Sequence, residues 1–192
     1  VLGAHRWADK AHLPGYAAYE RVKLVAICDV LEERAREMAD KYAIAHVFTD
    51  PDELINHPEV EMVDVCTPTD THFDLSMRAI AAGKHVLSEK PLARTAAEAF
   101  EAAAAAEARG VRTKLGFTFR YSPAIRMLQE WIADGTLGEV FHVHGLEQNS
   151  QFLDPQFPLR QVPAGADASR TIPSSIVGYG SHLVDLMGWC AG

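Results

Sequence analysis

The chain has 192 residues, 48% hydrophobic and 23% charged, ordinary for a soluble globular protein with room for a full core. Eighteen basic residues against 26 acidic ones leave a net charge of −8 with no lysine or arginine cluster, which argues against nucleic acid as a partner. No apolar run approaches the ~18 residues of a membrane span, and no signal peptide is evident, although a chain that does not start with Met leaves a removed leader open.

In chain order, residues 23–28 (KLVAIC) form a short apolar run and predict a strand ending at Asp29. Residues 32–42 predict a charged amphipathic helix, and 45–48 a short strand. Asp50-Pro51-Asp52-Glu53 supplies an N-cap, a proline at the first helical position and an acid behind it, so a short helix is expected there. Residues 61–67 predict a buried strand, 71–82 a helix closed by Gly83, and 85–89 another strand. Thr95-Ala96-Ala97-Glu98 is a capping box opening an alanine-rich helix that stops at Gly110, and 112–117 predicts a further strand. Strands alternating with helices imply right-handed βαβ units and a parallel sheet.

The pattern changes after Gly116. Ser122-Pro123 opens a helix over 124–133, 139–146 alternates like a strand with one solvated face, 149–175 reads as a long polar loop, and 180–190 returns to a helical pattern. A domain boundary is expected near residue 120, giving domains 1–119 and 120–192. Both ends read as incomplete. Only Val1 and Leu2 precede Gly3, against the ~5 residues of an ordinary strand, and one strand in the second region cannot make a stable sheet. The sequence is therefore expected to be a fragment, or to need residues beyond it.

Function-capable residues gather at strand ends, where an open parallel sheet binds its ligands. Gly3-Ala4-His5-Arg6-Trp7-Ala8 sits where a dinucleotide-binding turn belongs, with His5 in place of the second glycine; the alternative is an ordinary strand-to-helix turn. Asp29 lies 26 positions after Gly3, against the usual ~20, and suits ribose hydroxyls or a helix N-cap. An acid there favours NAD over NADP, while nearby Arg34 keeps NADP open. Thr67-Pro68-Thr69 with His72 offers hydroxyls and backbone amides to a nicotinamide, or caps the next helix. Lys90, between Glu89 and Pro91, suits polarising a substrate oxygen, or is a surface lysine paired with Glu89. His182 and Asp185 share one helix face, and His182 suits proton transfer or a structural place. His142 and His144 share one face of the expected strand but lack a carboxylate or cysteine partner, so no metal site is expected. Cys28, Cys66 and Cys190 form no CxxC, which argues against a disulfide frame and fits a reducing cytoplasm.

Taken together, these residues resemble the Gfo/Idh/MocA family of oxidoreductases. The resemblance rests on Gly3…Trp7-Ala8…Ala11-His12-Leu13-Pro14, Cys28-Asp29 and Val65-Cys66-Thr67-Pro68-Thr69…His72. It continues through Gly83-Lys84-His85-Val86…Glu89-Lys90-Pro91, Gly116-Phe117…Arg120-Tyr121-Ser122-Pro123, Gly135…Leu137-Gly138-Glu139 and Gly180-Ser181-His182-Leu183…Asp185-Leu186. It implies an α/β architecture: an N-terminal Rossmann domain with a doubly wound parallel sheet, then an incomplete α/β domain whose open sheet forms an oligomer interface in the full-length protein. It also implies an NAD(P)-dependent dehydrogenase moving a hydride to or from a hydroxyl-bearing carbon of a sugar, cyclitol or related polyol. By this resemblance Lys90 orients the reacting hydroxyl and His182 is the general base. Gly3, His5, Trp7 and Asp29 hold the dinucleotide, and Thr67, Pro68, Thr69, His72, Glu89 and Lys90 line its nicotinamide side. Many relatives carry an aspartate four residues before the histidine, where this chain has Gly178. That position favours a second expectation, a dinucleotide-binding sensor or regulator without turnover, which the retained Lys90 and His182 oppose; separately, the missing C-terminal sheet would leave the substrate pocket half built and an apolar face exposed.

Overall fold

The structure, a computed structural model, describes residues 1–147, 178 and 180–191, in two compact units spanning 1–116 and 117–192. The first unit is built on five short parallel strands: β1 (Ala26–Cys28), β2 (His46–Phe48), β3 (Met62–Val65), β4 (His85–Ser88) and β5 (Thr113–Leu115). β1 pairs with β2, and β3, β4 and β5 pair in that order, all parallel. Leu2 joins the two sets by bridging Cys28 on one side and Val65 on the other. Its amide donates to the Asp64 carbonyl (2.7 Å) and its carbonyl accepts from the Cys66 amide (2.8 Å). The Cys28 amide donates to the Val1 carbonyl, and the Gly3 amide to the Cys28 carbonyl. The sheet therefore runs β2-β1-Leu2-β3-β4-β5, and its order reverses at Leu2. That reversal is the topological switch point of a doubly wound sheet, where ligands bind.

Local sequence explains the helices between the strands. Residues 8–12 form a π-helical turn, with the Leu13 amide bonding the Ala8 carbonyl five residues back, and lead into α1 (Leu13–Ala17). α2 (Glu32–Tyr42) buries Ala35, Met38 and Ala39. α3 (Pro51–Ile55) is capped by Asp50, whose side chain accepts the Asp52 amide. α4 (His72–Ala81) follows a 3-10 turn over Thr69–Thr71 and closes at Gly83, in the left-handed conformation, with the Lys84 amide on the Ala79 carbonyl. α5 (Ala96–Arg109) carries the expected capping box: Thr95 accepts from the Glu98 amide, and Glu98 accepts from the Thr95 amide.

Two apolar clusters flank the sheet. One gathers Leu2, Leu54, Ile55, Val63, Val65 and Ile80; the other gathers Leu13, Ile27, Ala35, Met38 and Cys66. Each fully buried large aliphatic side chain contributes about 1.5–3 kcal/mol. Because helices cover both faces, β3 is buried throughout its last three residues, as an interior parallel strand should be, yet its third residue is Asp64.

In the second unit a 3-10 turn (Thr118–Tyr121) precedes α6 (Pro123–Ala133), and Ser181–Ala191 forms α7. The strand expected over 139–146 is not there: residues 139–147 carry no ladder. A strand exists through hydrogen bonds to a neighbour, and no strand among the described residues lies beside this segment. His142 and His144 are exposed on this irregular stretch and share no strand face. The loop expected over 149–175 lies outside the described residues.

Candidate functional site

The carboxyl ends of the strands bring most of the candidate residues of the first unit together. Gly3 turns the chain out of the sheet with φ +96°, and a Cβ there would lie 2.5 Å from the Cys66 carbonyl oxygen. Only glycine allows this turn to press against the end of β3. Asp29 follows β1 and ties the turn down: Oδ2 accepts the Ala4 amide (2.8 Å) and Oδ1 accepts the Leu31 amide (2.9 Å). It thus acts on both the glycine turn and the entry to α2. A carboxylate has about four acceptor positions, so it retains capacity for hydroxyl donors. His5, Arg6 and Trp7 are exposed at the start of the helical stretch.

Beyond β3, the Thr71 hydroxyl donates to Thr67 Oγ1 (2.7 Å) and shapes the Thr67-Pro68-Thr69 turn. His72 is 2% exposed, with Nδ1 2.7 Å from the Pro91 carbonyl and Nε2 2.8 Å from the Thr67 carbonyl. Sequence placed it among the residues facing a cofactor. It is buried there and links the turn after β3 to the turn after β4, with its ring nitrogens on the two backbone carbonyls.

Glu89 and Lys90 follow β4. Glu89 Oε1 accepts the Trp7 indole N–H (3.0 Å) and faces His12 Nε2 (3.0 Å), while Oε2 accepts the Lys90 amide (3.2 Å). Its carboxylate also passes within 3.0 Å of where a Cβ on Gly116 would stand. The other nitrogen of His12, Nδ1, lies 2.8 Å from Asp64 Oδ2. The side chains of His12, Asp64 and Glu89 are 9%, 1% and 12% exposed. Burial alone would lower the pKa of His12, but hydrogen bonding to Asp64, Cys66 and Glu89 outweighs it and raises the imidazole to about 12. Burial likewise pushes Glu89 up, but the His12 hydrogen bond and charge, with the Trp7 N–H and Lys90 amide, hold it below the usual carboxylate value. Burial, then the Asp64 carboxylate, raises the Tyr16 hydroxyl.

Sequence reading gave His12 no role and passed over Asp64. The available signal was an acid inside the apolar strand Met-Val-Asp-Val, since a buried carboxylate requires a partner.

Elsewhere in the first unit, His46, His57 and Glu59 bring potential metal-ligand atoms within 4.8 Å of one another. His57 Nδ1 accepts the Glu59 amide, and Glu59 pairs with Lys23 (2.8 Å). A cavity of about 390 Å³, lined by Val1, Ala26, Met62 and Asp64 among others, opens near the amino ends of β1 and β3, away from the turns that carry Thr67 and Lys90.

In the second unit His182 is 6% exposed, stacked on Phe119 (centroids 4.3 Å apart) and edge-on to Phe117 (5.8 Å). Asp185 gives both carboxylate oxygens to the Arg120 guanidinium, whose centre also lies 5.3 Å from the Trp189 ring. The acid expected beside His182 therefore anchors the turn before α6.

A sequence profile described as an oxidoreductase family with an NAD-binding Rossmann fold, Gfo/Idh/MocA, matches residues 1–117. The chain belongs to the Gfo/Idh/MocA family. Among its Gfo/Idh/MocA-type relatives, D-glucoside 3-dehydrogenase of Escherichia coli K12 is 33% identical over 141 residues, covering 73% of this chain and 40% of that protein. Inositol 2-dehydrogenase of Salmonella paratyphi B is 33% identical over 170 residues, covering 88% of this chain and 46% of that protein. The crystal structure of an oxidoreductase domain protein from Kribbella flavida superimposes with a TM-score of 0.86 at 34% identity, over all of this chain and 52% of that one. The chain thus spans about half the length of the curated relatives it matches.

Proposed function

We propose that this chain is the dinucleotide-binding part of an NAD(P)-dependent dehydrogenase that transfers a hydride between nicotinamide and a hydroxyl-bearing carbon of a sugar, cyclitol or related polyol. The observation that carries this reading is the gathering of the Gly3 turn, Asp29, Thr67-Pro68-Thr69 and Glu89-Lys90 at the carboxyl ends of adjoining strands around the point where sheet order reverses. The residues fit a dinucleotide. The backbone cradle at Gly3 is one a Cβ would fill, and Asp29 keeps acceptor capacity for ribose hydroxyls. NAD is favoured over NADP because a 2′-phosphate would meet the Asp29 carboxylate.

When bound, the nicotinamide supplies or accepts the hydride. Lys90 then orients the reacting hydroxyl, and His182 takes its proton in oxidation and returns it in reduction. Residues 1–119 serve as the nucleotide-binding domain, and 120–192 begin a substrate-binding and oligomerisation domain of a cytoplasmic homo-oligomer. The names of the two dehydrogenase relatives support the polyol substrate class. No described helix is long and apolar enough to cross a membrane.

The test is a fluorescence titration of the chain with NADH and NADPH, followed by a polyol screen in the full-length protein. Saturable binding, tighter for NADH, is expected. Tighter NADPH binding would overturn the role given to Asp29, and binding of neither by a folded chain would sink the reading. Lys90→Ala should reduce turnover by at least about a hundredfold, the scale of proton-transfer assistance, and leave dinucleotide binding intact. Gly178, where relatives carry aspartate, favours the second reading of a non-catalytic sensor; that reading is selected if dinucleotide binds and no polyol is turned over.

A further inference from the structure

Two residues given no chemical role above, His12 and Asp64, form a buried row with Glu89: Asp64–His12–Glu89. Both imidazole nitrogens face carboxylate oxygens, at 2.8 and 3.0 Å. An ionised carboxylate only accepts, so two such bonds from one ring require a proton on each nitrogen. The alternative with the same proton count is a neutral ring beside a carboxylic acid, and the ordinary basicities of imidazole and carboxyl place the proton on the ring. His12 can reach both acids because of where the backbone puts it. It closes the π-helical turn over residues 8–12, beside the switch point, and faces β3 on one side and the end of β4 on the other.

Glu89 is the member that reaches the nicotinamide side of the proposed site. His12 and the Trp7 indole hold Oε1, which leaves Oε2 for the Lys90 amide. Gly116 leaves room for the carboxylate to lie flat against the end of β5. We propose that His12 is a positioning residue for the nicotinamide end of the site: an imidazolium clamped between Asp64 and Glu89, it fixes the Glu89 carboxylate and thereby the turn that presents Lys90. This rests on the dinucleotide reading above. His12 touches neither cofactor nor substrate in this role, and Asp64 serves as its buried anchor.

The test has two parts, both on the 192-residue chain. In wild type, 15N-histidine spectra at about pH 8 report whether each His12 ring nitrogen carries a proton; an unperturbed histidine, with a pKa near 6.5, would be largely neutral there. Separately, NADH and ADP-ribose, which lacks nicotinamide, are titrated against wild type and His12→Gln. Glutamine can hold one carboxylate but not both, and carries no charge. If His12→Gln does not fold by circular dichroism, His12→Gln/Asp64→Asn replaces it, removing a buried positive and a buried negative group together.

Protonation of both nitrogens is expected, with NADH affinity falling about tenfold in the variant, the size of one lost charged hydrogen bond, and ADP-ribose affinity unchanged. A neutral His12 ring overturns the proposal, as does an equal loss, or no loss, for the two ligands. In those cases wild type still binds NADH and the dinucleotide reading stands. A wild-type chain that binds neither ligand sinks both.

Discussion

A carboxylate within an interior parallel strand is costly unless it is paired, and Asp64 shows how that cost is met. Its Oδ2 faces His12, while Oδ1 and the nearby Tyr16 hydroxyl are buried without a hydrogen-bond partner among the described residues. Removing the cation would leave two buried acids without their shared partner, the kind of change that costs several kcal/mol. The titration behaviour follows from the signs of the shifts. His12 is raised from 6.5 to about 12, so its contribution to stability is fully present below pH 6.5 and is lost as pH rises toward 12. Glu89 lies below its ordinary 4.5, so its contribution is present above pH 4.5 and is lost as pH falls through the depressed value. The stability gap between wild type and His12→Gln, from urea midpoints at about pH 6, 8 and 10, should therefore shrink steadily with pH. A gap that stays constant would mean that His12 does not titrate with folding. The sequence offered only the acid inside an apolar strand and not its partners, because the three residues are separated by 52 and 77 positions and only the fold makes them neighbours. Asp29 was legible as a strand-end acid, but not its tie to the glycine turn, which it bonds together with the entry to α2.

At the level of elements, what could be read was punctuation. Asp50 with Pro51, Gly83, Thr95 with Glu98, and Gly110 each act within a few residues of themselves, and each stands where local chemistry placed it. Two elements escaped for opposite reasons. The π-helical turn over 8–12 departs from the period on which pattern reading relies, although it is what carries His12 between the acids. The strand expected over 139–146 has a sound alternating pattern but no neighbour to pair with among the described residues, and alternation cannot supply one. Capping is the most transferable of these signals. Thr95→Ala should remove about 1 kcal/mol of stability, measured by urea denaturation, because the Glu98 amide loses its acceptor. No change would show that α5 is held by the packing of Ala102 and Ala106 alone.

At the scale of the whole molecule, the two units differ in how much of their apolar surface is covered. The first encloses two clusters around its sheet, whereas Met127, Leu128 and Trp131 on α6 stay exposed in the second. Within the first unit, the described backbone bonds that join β1 and β2 to β3, β4 and β5 run through residues 1–3. That seam divides the domain into two leaves hung on a narrow line, and the Gly3 turn lies on it. Both apolar clusters pack across this line, but its backbone bonds are few, so they should open more readily than the β3-β4-β5 ladder, exposing the Cys28 and Cys66 amides while Val86, deep in the second leaf, stays closed. A dinucleotide laid across the turn would act as a clasp. Its binding should slow hydrogen–deuterium exchange at Cys28 and Cys66 more than at Val86, and equal slowing at all three would mean that the leaves never part separately.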